Sequence, residues 1–146
     1  MATQIHRSAL VPYSPAEMFA LVSDVDAYPE FLPWCSGARV LERKGDEVRA
    51  CVEISKGAVH KRFTTLNREQ KNKMIEIRLL EGPFRHLEGF WRFDPLGDAA
   101  CKVSLDLEFD FASRMLGMMV GPVFNQIANT LVDAFHQRAV QVYGRR

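Results

Sequence analysis

The sequence predicts an α+β fold of the helix-grip type, in which a curved antiparallel sheet of six or seven strands wraps around a long C-terminal helix. Apolar and polar residues alternate with a period of two from residue 38 to residue 111, which is typical of half-buried strands. From residue 122 to residue 143 the apolar residues recur with a helical period instead. A helix with one apolar stripe buries that stripe against another layer, and the preceding sheet provides this layer.

The N-terminal quarter of the chain predicts one strand, one short helix and a stiff connector. Residues 5–11 have the pattern of a short strand. Residues 14–17, SPAE, form a helix start, with the serine as N-cap and the glutamate placed to complete a capping box. We expect this helix to end near Ser23. Residues 24–37 contain two prolines among aromatic side chains, so this connector has room for one helical turn but not for a long regular element.

The middle of the chain predicts a meander of antiparallel strands with one wet face. Alternation is clearest at 48–54, 75–79, 87–93 and 103–111. Glycine, proline and asparagine mark the breaks between strands. These breaks fall at 44–46, 55–57, 67–72, 81–83 and 96–98.

The last element is one long amphipathic helix that follows Gly121-Pro122 and ends near Gly144. Its apolar stripe consists of Val123, Phe124, Ile127, Leu131, Ala134, Phe135, Ala139 and Val142. Just before it, residues 115–121 read MLGMMVG, and two interpretations stay open. Methionine and glycine suit a flexible door to an interior cavity, and they also suit ordinary packing at a helix start.

Composition excludes several classes of protein. A chain of 146 residues with 47% hydrophobic and 25% charged residues predicts a single globular domain over residues 1–146. The net charge of +1 provides no bulk attraction to DNA or to acidic membranes. No apolar window approaches the roughly 18 residues of a membrane span, and the start does not resemble a secretion signal. We therefore expect a cytoplasmic protein, with transient contact at the surface of the inner membrane left open.

The sequence offers no catalytic or metal motif, so we expect a protein that is not an enzyme, with no catalytic residue, metal or required cofactor. Cys35, Cys51 and Cys101 lie far apart and form no C-x-x-C pair. The four histidines do not have the spacing of a metal site, and neither G-x-S-x-G nor H-E-x-x-H occurs.

Six stretches, taken in order, resemble one known family across nearly the whole chain. They are LVPY at 10–13, DAYPEFLPWC at 26–35, VEISKG at 52–57, EGPF at 81–84, GFWRF at 89–93 and AFxxxAxxxY at 134–143. The chain resembles the coenzyme Q-binding START-like family of the polyketide cyclase and lipid transport superfamily, most of all its bacterial branch of ribosome-association toxins. The resemblance implies the helix-grip fold, a ubiquinone-like ligand and a role in respiration. For the bacterial branch it also implies interference with the joining of ribosomal subunits, and a polyketide cyclase-like enzyme is the remaining alternative.

The alternation along the strands and the helical repeat place a set of large side chains around one volume between the sheet and the C-terminal helix. The candidate contacts of a hydrophobic small molecule, such as ubiquinone or a similar lipid, are Tyr28, Phe31, Trp34, Lys61, Phe63, Leu79, Phe84, Trp91, Leu107, Phe124, Ile127 and Leu131. Tyr28, Trp34 and Lys61 are the candidate donors to a quinone ring. A packed core without a cavity would show the same pattern.

A local excess of basic residues is the basis for the ribosomal alternative. Between residues 56 and 73, six lysines and arginines face a single acidic residue. Contacts with the phosphates of the large ribosomal subunit would use this excess, and a solvated hairpin edge kept soluble by lysine is the other interpretation. The candidate ribosome contacts are Lys56, Arg62, Arg68 and Lys71.

Overall fold

The computed structural model describes residues 2–146 and has the predicted α+β helix-grip architecture. The strands are β1 (Thr3–Val11), β2 (Cys35–Lys44), β3 (Glu47–Lys56), β4 (Val59–Gln70), β5 (Met74–Glu81), β6 (Phe84–Pro95) and β7 (Cys101–Phe111). The helices are α1 (Pro15–Ser23), a short 3-10 helix (Val25–Glu30) and α2 (Arg114–Tyr143). The predicted antiparallel sheet of six or seven strands is confirmed at seven.

The strand order is β1-β7-β6-β5-β4-β3-β2, and every neighbouring pair is antiparallel. The chain begins in β1 at one edge, and α1 and the 3-10 helix carry it to β2 at the opposite edge. From there, successive hairpins lead back to β7, which pairs with β1. The sheet therefore stays open between β1 and β2, and its inner face receives α2.

The start of α1 follows the sequence signature. The Ser14 hydroxyl accepts a hydrogen bond from the Glu17 amide at 3.1 Å, and the Glu17 carboxylate accepts one from the Ser14 amide at 2.9 Å. This reciprocal cap satisfies two amides that a helix start leaves unpaired and contributes about 1 kcal/mol. The helix ends at Ser23, as predicted, and buries Met18, Phe19 and Val22.

Helix α2 begins at Arg114, so the predicted start after Gly121-Pro122 is wrong. The Ser113 hydroxyl accepts a hydrogen bond from the Leu116 amide at 3.1 Å and caps the longer helix. Pro122 lies inside the helix, where its ring removes the hydrogen bond to the Met118 carbonyl. The side chain of Met118 is 75% exposed, so water can reach this part of the helix. Residues 115–121 are therefore helical and do not form an irregular flexible stretch.

The predicted break at 67–72 is also wrong, because β4 continues to Gln70. The turn lies at 71–73, where Asn72 takes the left-handed conformation with φ of 63°. Asn67 faces the interior, and its side-chain oxygen accepts a hydrogen bond from the Thr65 hydroxyl at 2.8 Å. A residue that favours turns is thus held in a strand by a partner on the same face. The other four breaks fall at turns within one or two residues of their predicted positions.

The core consists of aromatic and aliphatic side chains on the inner face of the sheet and on α2. Phe135 contacts Trp91 with ring centroids 5.3 Å apart, and Phe124 contacts Phe109 at 4.7 Å. The backbone of α2 lies closest to β1, β7 and α1, and it also approaches β4. No helix within residues 2–146 has the length and hydropathy needed to cross a bilayer.

Candidate ligand-binding site

A cavity of about 100 Å³ lies between the inner face of the sheet and α2. Its walls come from the 3-10 helix, the connector that follows, strands β3 to β7 and α2. They are mostly apolar. Because the contributing residues are distant in sequence, the cavity exists only when the sheet closes on the helix.

Eight of the twelve predicted ligand contacts line this cavity. They are Tyr28, Trp34, Phe63, Trp91, Leu107, Phe124, Ile127 and Leu131. The other four lie outside it. Phe31 packs on Phe135 from the connector, and Phe84 stacks on Phe111 with centroids 5.1 Å apart. Leu79 packs against the cluster around Phe84, and Lys61 is half-buried on β4.

Ten further wall residues were not among the predicted contacts. They are Val25, Ala50, Val52, Ile54, Thr65, Asn67, Ile77, Leu87, Leu105 and Phe135. Most are apolar, and those on strands lie on the inner face that the sequence pattern already indicates. Assigning every strand residue to a face would therefore have included them. Thr65 and Asn67 differ, because they are polar and Asn67 falls in a segment predicted to be a turn.

The wall offers N–H donors without a partner beside two hydroxyl oxygens that can still accept. The Asn67 side-chain oxygen accepts from Thr65, which leaves the two amide N–H groups of Asn67. Trp91 is 3% exposed, and its indole N–H has no hydrogen-bond partner among the described residues. The Tyr28 hydroxyl donates to the Val22 carbonyl at 2.5 Å, and burial raises the pKa of Tyr28, which keeps it neutral. The wall can therefore donate hydrogen bonds to a ligand that carries acceptors.

The volume of the cavity is smaller than that of a substituted aromatic ring. A dry cavity of about 150 Å³ suffices for benzene, and this one measures about 100 Å³. Drug-sized ligands occupy roughly 300 to 1,000 Å³. Binding of a quinone ring therefore requires the sheet and α2 to move apart.

A surface groove of about 440 Å³ runs beside α2 on the side of the connector. Leu32, Pro33 and Trp34 form one wall together with the end of β3, and α2 forms the other from Gln126 to Gln137. The side chains of Trp34 and Ile127 line both this groove and the cavity. These two residues therefore separate the interior volume from the surface.

The candidate ribosome contacts are all exposed but do not form one cluster. Arg62 lies 3.9 Å from a Glu53 carboxylate oxygen, and Arg68 lies 3.2 Å from one of Glu47. The ammonium of Lys56 donates to the side-chain oxygen of Gln126 at 2.6 Å. Lys56 and Lys71 flank opposite ends of the 12-residue strand β4, about 36 Å apart. The four cations thus form a line along β4, and two of them already lie near carboxylates.

One group on the outer face of the sheet has the residue types of a cation site. Ligand atoms of His86, Glu88 and Glu108 all lie within 4.8 Å of one another, and a ring nitrogen of His86 is 3.1 Å from Glu108. Hydrogen bonds from Gln4 and His86 lower the pKa of Glu108. These side chains partner one another on the face opposite the cavity, so they do not contribute to the interior site.

Comparison with known proteins places this chain in a family. The family described as polyketide cyclase / dehydrase and lipid transport matches residues 11–136. Ribosome association toxin RatA of Pseudomonas aeruginosa is 51% identical over 99% of this chain and 100% of its own length. The mitochondrial coenzyme Q-binding protein COQ10 homolog B of Xenopus laevis is 28% identical over 95% of this chain and 59% of its own length.

Solved structures show the same fold. The Zhui aromatase/cyclase of a Streptomyces species superposes with a TM-score of 0.83 over the full length of both chains, at 17% identity. At that identity the likeness concerns the fold alone. The assignment of the chain to a family rests instead on the match to the family model and on the 51% identity to a full-length relative. The chain therefore belongs to the START-like polyketide cyclase / dehydrase and lipid transport family, in the branch whose relatives are named ribosome association toxin RatA.

Proposed function

We propose that this protein binds an apolar ligand that carries hydrogen-bond acceptors and does not transform it, with ubiquinone or a related polyprenyl quinone as the first candidate. The observation that carries the proposal is the apolar cavity between the sheet and α2, whose wall includes N–H donors without a partner. In this role the protein would support quinone function in respiration.

The chemistry of a prenylated quinone suits this wall. Each buried CH₂ contributes about 0.8 kcal/mol, and the two ring carbonyls need donors once water is removed. The side chains of Asn67 and Trp91 offer such donors. The name of the Xenopus relative, a coenzyme Q-binding protein, supports the same ligand class.

The side chains around the cavity support binding more than catalysis. None of the described residues that line it is a histidine, cysteine, lysine or carboxylic acid, so general acid–base or nucleophilic chemistry has no obvious group there. Burial raises the pKa of Cys35 and that of Cys101 to about 11, which keeps both thiols protonated and weakly nucleophilic near neutral pH.

Mass spectrometry of organic extracts of the purified protein tests for a resident lipid, and titration tests the role of the donors. We expect duroquinone to bind more tightly than durene, which has a similar ring without carbonyls. Asn67→Leu and Trp91→Phe should each weaken duroquinone binding about fivefold to tenfold more than they weaken durene binding, because each variant removes one hydrogen bond that only duroquinone can accept. If neither compound binds the wild-type protein, the proposal is wrong.

Ribosome association is the second candidate, and the RatA relative favours it because that protein matches this chain from end to end. The cations along β4 provide a surface for phosphate contacts, although Glu53 and Glu47 oppose two of them. Binding through phosphates weakens steeply with salt, whereas burial of an apolar ligand does not.

Co-sedimentation with large ribosomal subunits tests this second candidate. The four reversals Lys56→Glu, Arg62→Glu, Arg68→Glu and Lys71→Glu should together abolish it and leave binding of duroquinone intact, because none of the four lines the cavity. The matched control reverses four exposed cations on β5, β6 and β7, Arg78→Glu, Arg85→Glu, Arg92→Glu and Lys102→Glu, and should keep co-sedimentation. If co-sedimentation survives unchanged in the first variant, the β4 cations serve solubility.

A further inference from the structure

We propose that the surface groove between the connector and α2 holds the aliphatic tail of a ligand whose head group occupies the cavity, with Trp34 and Ile127 as the gate between them. The inference rests on the proposed ligand-binding function. It extends that function with a second binding site, an access route and a requirement that the ligand have a head and a tail.

The two volumes lie on opposite sides of shared side chains. Of the residues that line the cavity, Trp34 and Ile127 also line the groove. The cavity of about 100 Å³ accommodates at most a head group, while the groove of about 440 Å³ is several times larger. A ligand held in the cavity and longer than a single ring must extend beyond it, and the groove is the volume directly behind the shared wall.

The groove has the chemistry of a site for a hydrocarbon chain. Pro33, Trp34 and Ala134 supply its accessible apolar surface above the buried Leu32 and Ile127, and the rest of the lining is neutral apart from Lys56 and Asp133. Along α2 the groove extends from residue 126 to residue 137, which corresponds to roughly 16 Å of helix. A chain lying there would cover apolar surface that is otherwise exposed to water.

The local structure allows this side to open at the Lys56 end. The backbone of α2 lies closest to β1, β7 and α1 and also approaches β4, whereas polar side-chain pairs bridge the groove near its two ends. Lys56 donates to Gln126 at 2.6 Å at one end, and an exposed pair of this kind contributes only about 0 to 1 kcal/mol. At the other end Arg138 lies 3.1 Å from a Glu30 carboxylate oxygen and stacks on the Phe31 ring at 4.9 Å, so this end is held more firmly.

Trp34 is suited to act as the moving part of the gate. Its backbone carbonyl accepts a hydrogen bond from the Ser55 amide at 2.8 Å, which fixes the main chain there. Its side chain is half-buried, and the indole N–H has no hydrogen-bond partner within residues 2–146. The ring can therefore change rotamer without breaking a polar contact.

The test compares a dimethoxy-methyl-benzoquinone with and without a decyl tail, titrated into the full-length protein by calorimetry. In the wild type the tail should raise affinity by at least about tenfold, because even two buried CH₂ groups account for that factor. Thr130→Trp and Gln137→Trp, each at an exposed position in the groove, should abolish this gain and leave the affinity for the tailless quinone unchanged. Gln141→Trp, exposed on α2 outside the groove, is the control and should keep the gain.

The outcomes separate the two proposals. If the tailless quinone binds and the tail adds nothing, or if the gain survives both groove variants with native thermal unfolding, the groove is not the tail site, although the cavity proposal stands. If neither quinone binds the wild type, ligand binding itself is wrong and the groove proposal is overturned with it. Two groove variants are used so that misfolding of one leaves the test intact.

Discussion

The cavity predicts that the same added methylene group stabilises the protein at one buried strand position and destabilises it at another. Val52 on β3 and Val103 on β7 are both buried and both on the inner face of the sheet. Val52 lines the cavity, whereas Val103 packs against the cluster around Phe93. Val52→Ile and Val103→Ile therefore make one chemical change in two environments.

The expected magnitudes follow from transfer and packing energies. A methylene group is comparable in size to a water molecule, whose share of liquid volume is about 30 Å³, so the cavity of about 100 Å³ can accept it. Burying it should contribute about 0.8 kcal/mol and raise the melting temperature of Val52→Ile by about 2 to 3 °C. The same group forced into close packing at Val103 should cost about 1 to 3 kcal/mol.

Urea unfolding followed by circular dichroism, together with thermal melts, measures both differences against the wild type. Ala50→Val extends the series, because Ala50 also lines the cavity and the change adds two methyl groups, for a gain of up to about 1.6 kcal/mol. Quinone affinity should fall in Val52→Ile and Ala50→Val and stay constant in Val103→Ile. Equal destabilisation by both Val→Ile changes would refute the reasoning, because it would mean that the wall at Val52 is as tightly packed as that at Val103.

Three further predictions concern bulk, pH and thiol chemistry. Leu107→Trp and Ile127→Trp should abolish quinone binding with little loss of stability in thermal unfolding, since both side chains border the cavity; a large loss of stability would indicate a solid core. A hydrogen bond from Arg146 lowers the pKa of Glu17 from 4.5 to about 2. The ionised Glu17 carboxylate therefore contributes fully to stability above pH 4.5, and this contribution disappears as the pH falls to about 2. Glu17→Gln should accordingly lower the urea midpoint at pH 7 but not at pH 2, and equal effects at both would contradict the assignment. Cys35 and Cys101, with pKa values raised to about 11 by burial, should resist a thiol reagent at pH 8 until the protein unfolds, and rapid labelling of the native protein would contradict this.

The parts of the fold that the sequence predicts are those that local chemistry determines. The capping box at 14–17 specifies the start of α1, and glycine-containing turns specify four hairpins. Period-two alternation then assigns each strand residue to a face without knowledge of strand order. For this reason Phe63, Trp91 and Leu107 lie on the cavity wall although no pairing register entered the prediction, and the helical period places three more of the predicted contacts there from α2.

The start of α2 and the polar part of the site depend on non-local contacts, which explains why the sequence did not reveal them. Gly121-Pro122 has the appearance of a helix boundary, but the Ser113 cap and the packing of Val120 in the core extend the helix past it. Asn67 has the composition of a turn, but its hydrogen bond with Thr65 retains it in β4. In each case a tertiary or same-face contact outweighs a local preference.

Whether a helix-grip interior is solid or hollow is a question that periodicity cannot answer, because a packed core and a cavity need the same inward apolar residues. The difference here is about 100 Å³, close to the volume of three water molecules, and one small side chain such as Ala50 in place of a larger one can produce it. A void of this size costs only a few kcal/mol, at roughly 24 cal/mol per Å³. A folded domain can tolerate this loss of stability, and a ligand that fills the cavity can offset it. Ligand binding should therefore stabilise the protein most at the positions where the cavity weakens the unliganded core.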